Sequence, residues 1–251
     1  MPQTALTPNA IAFASPARGI AGGGWTSCPT FGCPSAGTVS LTDDGGRTWR
    51  VALRTRRPVV AVATAGGIDR AELAGGRWLE SRDGGRSWRR AAAPVRPRPP
   101  CARGANTAPD VDRVVAGAWA LCVGQPGAGN EAKAVFRRVH GRWRRIAWTS
   151  VLGRAVGGIA SYGYPLGLTM ARNGFGIIWE SRGTLYVTRD GGYRWRALPR
   201  VARPERDFGI AAVALPHDIA YVVLALGGGT QRRLLETADA GRTWHVVHRW
   251  R

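Results

Sequence analysis

The stretch that decides the fold is TDDGGRTW, residues 42–49, because it recurs three more times along the chain. The other copies are SRDGGRSW (81–88), TRDGGYRW (188–195) and TADAGRTW (237–244). All four match S/T-x-D-x-G-x-x-W, a pattern that a chain of this composition should show by chance at roughly 10⁻⁵ of its positions. The segments are therefore internal repeats, and they predict a repeat architecture.

Each position of this pattern has a reason in the geometry of a tight hairpin turn. The aspartate and the Ser/Thr hydroxyl can hydrogen-bond within their own turn, glycine supplies positive φ, and the tryptophan buries a large ring at the start of the next strand. We interpret the four segments, called box turns below, as structural turns between the third and fourth strands of a repeat. The structural residues that they share are Thr42, Asp44, Gly46, Trp49, Ser81, Asp83, Gly85, Trp88, Thr188, Asp190, Gly192, Trp195, Thr237, Asp239, Gly241 and Trp244.

A fifth, altered copy stands in the double-length gap between the second and third box turns. The segment VFRRVHGRWRRI (135–146) keeps the apolar lead-in, Gly141 and Trp143 but has no aspartate. With this copy included, the repeats are about 40 to 55 residues long, which is the length of a four-stranded propeller blade. The sequence thus predicts the all-β class and a β-propeller of five four-stranded blades, with the box turns between third and fourth strands.

The whole chain of 251 residues is expected to form one propeller domain. Strand-like runs follow in the same order in every copy, and linkers fall only between blades. The predicted blades cover approximately 9–53, 58–93, 101–148, 154–199 and 207–251.

The box turns resemble those of the BNR/Asp-box repeat family, which includes sialidases, sortilin-type receptors and photosystem II assembly factors. The resemblance covers nearly all of the chain and implies the propeller fold, but such repeats occur with many activities. It also implies that the boxes lie at the blade periphery, on the face opposite to the ligand. The aspartates of the boxes are accordingly expected to be turn residues and not catalytic acids.

The chain is strongly basic, with 36 Lys and Arg, 16 Asp and Glu, and a formal net charge of +20. Such a surface attracts anions, so the partner class is an unknown protein or a polyanion. An arginine-biased composition is the other explanation, because Lys133 is the only lysine. No apolar run is long enough to span a bilayer, and we expect a monomer.

The order and direction of the strands predict which face of the propeller carries the ligand-binding residues. If strands alternate in direction within each blade, the box turns lie on one face and the connections between blades lie on the other. The connections 53–58, 93–104 and 200–207 contain three arginines each, and the connection 150–158 contains one. The predicted ligand-binding residues are Arg54, Arg56, Arg57, Arg96, Arg98, Arg103, Arg154, Tyr162, Tyr164, Arg200, Arg203 and Arg206. We therefore predict a non-enzymatic binding or assembly module that uses the face opposite the boxes.

The alternative function is a glycan-directed hydrolase of sialidase-like architecture. Such an enzyme needs an arginine cluster, a tyrosine made nucleophilic by a glutamate, and an aspartate as acid/base. Tyr162, Tyr164 and Glu180 belong to one predicted blade and are the only group singled out for this role, while packing is the simpler interpretation. No catalytic residue is assigned. The glycine-rich GQPGAGN (124–130) lacks the GK[ST] ending of a phosphate loop, and no metal or cofactor is expected.

Four cysteines allow three disulfide pairings, and local pairing joins Cys28 to Cys33 and Cys101 to Cys122. Buried free thiols are the alternative, whereas the spacing is poor for a metal site. The compartment is left unknown, because the even cysteine count favours an extracytoplasmic location but no signal peptide is visible.

Overall fold

The computed structural model describes residues 8–26, 35–94, 101, 113–124, 127–152, 154–227 and 231–250. Within these residues the chain forms strands and no helix. Short β-branched and small-residue runs end at turns that glycine permits. Ala65, for example, pairs with Ile68 across Gly66 and Gly67, whose φ values of 57° and 76° are those of a type I′ hairpin turn.

Four of the five sheets contain four strands in chain order. The first sheet comprises β1 (Pro8–Phe13), β2 (Gly19–Thr26), β3 (Ser35–Thr42) and β4 (Arg50–Thr55). The second comprises β5 (Val59–Ala65), β6 (Ile68–Leu73), β7 (Arg77–Ser81) and β8 (Arg89–Ala91).

The third sheet has five strands: β9 (Arg113–Ala116), β10 (Trp119–Val123), β11 (Lys133–Val139), β12 (Arg142–Thr149) and β13 (Ala155–Val156). The fourth comprises β14 (Tyr164–Met170), β15 (Gly176–Ser181), β16 (Tyr186–Thr188) and β17 (Arg196–Ala197). The fifth comprises β18 (Asp207–Leu215), β19 (Ile219–Leu226), β20 (Arg232–Thr237) and β21 (His245–Trp250).

This succession confirms the predicted fold class, all-β with five propeller blades. One detail differs: the predicted fourth blade includes residues 155–156, whereas in the structure these residues form the outer strand of the third sheet. The Ser150 amide donates to the Arg154 carbonyl oxygen at 2.8 Å, and this turn lets Ala155 pair with Thr149. The fourth sheet consequently begins at Tyr164.

The chain divides into two compact units. Unit 1 contains Met1–Val95, Thr230–Leu235 and His245–Arg251, and unit 2 contains Arg96–Gly229 and Glu236–Trp244. Each unit has an apolar core. Buried residues of one core in unit 1 are Ile20, Val39, Leu41, Val59, Ala71 and Leu73. Buried residues of one core in unit 2 are Leu121, Val123, Val135, Ala147, Ile159, Leu168, Ile178, Tyr186 and Trp195.

The box turns are held by hydrogen bonds among their own residues. In the first, the Thr42 hydroxyl donates to Asp44 at 2.8 Å and accepts from the Gly46 amide at 2.9 Å. Asp44 also accepts from the Thr48 amide at 2.9 Å, and the Trp49 indole donates to the Gly46 carbonyl oxygen at 2.9 Å. The same hydroxyl-to-aspartate and amide-to-hydroxyl bonds recur in the turns of Ser81, Thr188 and Thr237.

These bonds keep the carboxylates of three box turns ionised. The hydroxyl and the amide of Thr48 lower the pKa of Asp44 to about 2. The Ser87 hydroxyl lowers the pKa of Asp83, and the Thr243 amide lowers that of Asp239. A carboxylate that is ionised and occupied by its own turn is a poor proton donor for a substrate.

The altered fifth copy folds as a tight hairpin. Val139 pairs with Arg142 across His140 and Gly141, which both have positive φ. Trp143 stands four residues before Ala147, the residue opposite a bulge at Val135. Trp49 stands four residues before Leu53, which is likewise opposite a bulge at Val39. By register, the tryptophan of the altered copy therefore occupies the position of a box tryptophan.

A disulfide joins Cys101 to Cys122, as predicted, with the two Cα atoms 5.4 Å apart. The predicted Cys28–Cys33 pair lies outside the described residues.

Replacing both Cys101 and Cys122 with alanine should lower the free energy of unfolding by about 3 kcal/mol, because the bond closes a loop of 21 residues and restricts the unfolded chain. Urea unfolding without reductant measures the difference. The difference in stability should vanish when a reductant is added, since the wild-type chain then also lacks the disulfide. Equal stability without reductant would contradict the prediction.

Candidate functional site

The antiparallel order of each sheet separates two kinds of loop. In the first sheet the box turn joins β3 to β4, so the chain leaving β4 toward β5 emerges at the other end of the strands. We call the ends of the sheets that are opposite the box turns the connection ends. In unit 1 the connection end of the described chain includes loop 56–58 and, in the second sheet, loop 74–76.

Three predicted arginines meet at the connection end of unit 1. Arg54, Arg56 and Arg57 are all exposed. Arg57 Nη1 donates to the Ala74 carbonyl oxygen at 3.3 Å, so its guanidinium reaches the neighbouring loop, and the Thr55 hydroxyl donates to the Arg57 carbonyl oxygen at 2.6 Å. These bonds fix the connection while leaving its cationic groups at the surface.

The two loops themselves contain no carboxylate. Residues 55–58 and 74–76 contain neither Asp nor Glu, and the next residue after the second loop, Arg77, is exposed as well. Among the described residues, neither Arg54 nor Arg57 forms an ion pair. The connection end of unit 1 thus presents concentrated positive charge.

The predicted arginines of unit 2 that the structure describes are all exposed, but one of them is paired with a carboxylate. Arg154, Arg200 and Arg206 are exposed. Arg203 holds both oxygens of the buried Asp207, at 2.9 Å and 3.2 Å, and Asp207 raises its pKa. Arg203 therefore stabilises the start of β18. The predicted Arg96, Arg98 and Arg103 lie outside the described residues.

The two predicted tyrosines have separate partners. The Tyr162 hydroxyl donates to Glu205, whose other oxygen is 3.3 Å from Arg182 Nε. The Tyr164 hydroxyl instead accepts from the Gly129 amide at 2.9 Å. Tyr162 is thus part of an exposed Tyr–Glu–Arg cluster, whereas Tyr164 secures a loop.

Glu180, considered above as a possible activator of a tyrosine, is paired with a lysine that sequence reasoning missed. Lys133 Nζ is 2.5 Å from Glu180 Oε1 and donates to the Tyr162 carbonyl oxygen at 2.8 Å. Both charged side chains are fully buried. The only signal in the sequence is that this lysine stands alone in a chain whose other cations are arginines.

Burial dominates the ionisation of this pair. It raises the pKa of Glu180 to about 7 against the opposing charge of Lys133, and it lowers the pKa of Lys133. Gly163 and Gly183 pack against Glu180 Oε2 so closely that a Cβ on either would overlap it. The pair is inaccessible to a substrate, and it anchors the segment that carries Tyr162.

Neither a metal centre nor a spanning helix is evident in the part of the chain that the structure describes. There, no three His, Cys, Asp or Glu residues are grouped so that they could hold a metal ion. No helix in those ranges is long and apolar enough to cross a bilayer.

No protein-family model and no curated protein matches the chain. Similar solved structures include YCF48 bound to a D1 peptide, with 16% identity over 97% of this chain and 82% of that chain, at a TM-score of 0.46. YCF48 from Cyanidioschyzon merolae has 16% identity over 98% of this chain and 86% of its own, at 0.34. A GH74 enzyme from Niastella koreensis has 18% identity over 95% of this chain and 31% of its own, at 0.30. These values assign no family, so function has to rest on the residues of this chain.

Proposed function

We propose that this protein is a non-enzymatic binding or assembly module that recognises an anionic or protein partner through its connection-end arginines. The proposal includes a single five-bladed domain whose box turns are Asp-boxes of the BNR type and serve the scaffold alone. The observation that carries it is the charge of the connection end in unit 1, where Arg54, Arg56 and Arg57 are exposed and the two loops contain no acid.

The chemistry of arginine supports an anionic partner. A guanidinium presents five donors in a planar fork and binds carboxylate or phosphate oxygens in pairs. Exposed guanidiniums that stand close together repel one another, and a bound anion relieves that repulsion. The box turns differ from the two loops in that they contain carboxylates. Those of Asp44, Asp83 and Asp239 accept hydrogen bonds from their own turns.

A hydrolase is the second candidate, and the hydrogen bond from Tyr162 to Glu205 is the observation in its favour. A glutamate could in principle activate a tyrosine in this way. Two features oppose the role here. Glu205 also pairs with Arg182, and the buried Glu180 is paired with Lys133. Hydrolysis of an aryl sialoside or glucoside that is lost in Tyr162→Phe would favour the enzyme over the binding module.

Replacing Arg54, Arg56 and Arg57 together with alanine should weaken binding of a DNA duplex, used here as a phosphate probe, and flatten its salt dependence. If each arginine neutralises one phosphate, the slope of log K against log[salt] should lose about 0.9 per arginine, or about 2.7 in all. Fluorescence anisotropy across a salt series measures the slope.

The matched control replaces Arg47, Arg86 and Arg242, three exposed arginines of the box turns, and removes the same net charge. Its slope should change much less, because exposed charges are screened beyond about 8 Å at physiological ionic strength. Equal effects from both triple variants would mean that the charge acts diffusely, and the proposed site would have to be abandoned.

A further inference from the structure

A second cationic surface lies in unit 2, on the hairpin that lacks an aspartate box. Strands β11 and β12 and their turn contain five arginines and no acid. The arginines are Arg137, Arg138, Arg142, Arg144 and Arg145. All except the half-buried Arg137 are exposed.

Two of these guanidiniums oppose each other in register. Arg137 on β11 is the cross-strand partner of Arg144 on β12, so the two side chains leave the same face of the sheet. Like charges in this arrangement destabilise a sheet. In the described ranges, neither residue has a carboxylate within ion-pair distance. The pair is therefore arranged to receive an anion.

Aromatic rings hold one member of the pair in place. The Arg137 guanidinium lies 5.3 Å from the Trp119 ring centroid and 5.9 Å from that of Tyr193. The Trp119 indole in turn donates to the Gly191 carbonyl oxygen at 2.7 Å. Asp190, the acid of that box turn, is occupied by the amides of Tyr193 and Arg194 at 3.0 Å each. Arg137 is thus positioned by rings and not neutralised by a carboxylate.

An apolar groove begins at the same tyrosine. It has a volume of about 650 Å³ and is lined by Ile146, Val156, Gly157, Gly158, Tyr193 and Trp195, with Arg194 at its side. Val156 and Tyr193 are 49% and 45% exposed, which is high for an apolar and an aromatic side chain. Val156 belongs to β13, the edge strand of its sheet, whose backbone is available to an extended chain.

We propose that this groove binds an extended acidic peptide segment of a partner protein. An apolar side chain of the peptide occupies the groove beside Ile146 and Tyr193, and a carboxylate next to it bridges Arg137 and Arg144. Charge complementarity selects an acidic peptide, because the guanidiniums at the groove are those of Arg137, Arg144 and Arg194, while the nearby carboxylate of Asp190 is occupied by its own turn. The groove belongs to unit 2, whereas Arg54, Arg56 and Arg57 belong to unit 1, and the proposal does not depend on those three arginines.

The rings favour a peptide over single-stranded nucleic acid. Binding of bases requires open aromatic faces on which they can stack. Here Arg137 already lies over the Trp119 ring and Trp195 is only 5% exposed, so Tyr193 is the one of these three rings that is open to solvent, and a single ring is a poor stacking platform. A peptide needs no free ring face, since its apolar side chain packs into the groove and its carboxylate binds the guanidinium edges.

The test measures fluorescence anisotropy of a labelled peptide in which one leucine stands between pairs of glutamates. Arg144→Gln should weaken binding at least about tenfold, the effect of losing one hydrogen bond to a charged group. Replacing the glutamates of the peptide with glutamines, or its leucine with glycine, should weaken binding of the wild-type protein by a similar factor. The melting temperature of Arg144→Gln should equal or exceed that of wild type, because the like-charge opposition is removed.

Arg138→Gln is the matched control, because Arg138 is exposed and its cross-strand partner is Trp143, on the other face of the same hairpin. It should leave the peptide affinity unchanged, and so should the connection-end triple variant. The proposal is overturned if no peptide binds at about 1 mM, or if Arg144→Gln and Arg138→Gln have equal effects. Tighter binding of an oligothymidylate that is lost in Arg144→Gln would also overturn it, in favour of nucleic acid.

Discussion

Lys133→Met is expected to lower the free energy of unfolding by about 3–5 kcal/mol at pH 8, the cost of leaving one member of a buried ion pair without its partner. Methionine keeps most of the volume of the side chain, so the loss reports the charge and its hydrogen bonds. Both charged groups of the pair are fully buried, and Lys133 also holds the Tyr162 carbonyl oxygen at 2.8 Å.

The stability lost in Lys133→Met should depend on pH. Burial raises the pKa of Glu180 to about 7, above its ordinary value of 4.5, so the folded state binds more protons between these values. The contribution of Glu180 to stability is therefore complete below pH 4.5 and is lost as the pH rises through 7. Without Lys133 the pKa of Glu180 should rise further, so the penalty at pH 8 should exceed the penalty at pH 5.

Urea unfolding at pH 5 and pH 8 measures the free energy of unfolding that Lys133→Met loses at each pH. The double variant Lys133→Met with Glu180→Leu is the control, because replacing a whole buried pair by apolar side chains is often neutral. It should recover most of the stability lost in the single variant. Equal penalties at both pH values, or a double variant as unstable as the single one, would contradict the assignment.

Trp195→Ala should cost about 3–5 kcal/mol, because it empties the site of a buried ring. Trp195 is 5% exposed, donates its indole N–H to the Gly192 carbonyl oxygen at 2.8 Å, and packs in the core of unit 2. Trp88 is only half-buried, with the equivalent bond at 3.3 Å, so Trp88→Ala should cost under about 3 kcal/mol. Calorimetry or urea unfolding ranks the two variants, and a larger loss in Trp88→Ala would show that burial does not set the cost.

The fold was predictable because its determinants are local. A box turn places a hydroxyl, an aspartate and one or two glycines within eight residues, and these groups bond to one another without help from distant parts of the chain. The outer strand β13 was missed because pairing of Ala155 with Thr149 depends on a turn with no strong residue signature. Tertiary packing, and not the local sequence, decides whether residues 155–156 join the third or the fourth sheet.

The candidate sites were only partly predictable. Antiparallel order alone assigns Arg54, Arg56 and Arg57 to one end of a sheet, and the structure shows them exposed there. The sequence predicts a ligand-binding role for Arg203, whereas the structure pairs it with Asp207, four residues further along the chain. Lys133 and Glu180 stand 47 positions apart, so no local pattern could have joined them.

Modification of arginines by phenylglyoxal, with and without a bound DNA duplex, tests the central claim most directly, because mass spectrometry then reports each guanidinium separately. The account predicts that the duplex protects Arg54, Arg56 and Arg57 and leaves Arg47, Arg86 and Arg242 as reactive as in the free protein. Protection of the box-turn arginines, or equal protection of both sets, would contradict binding at the connection end.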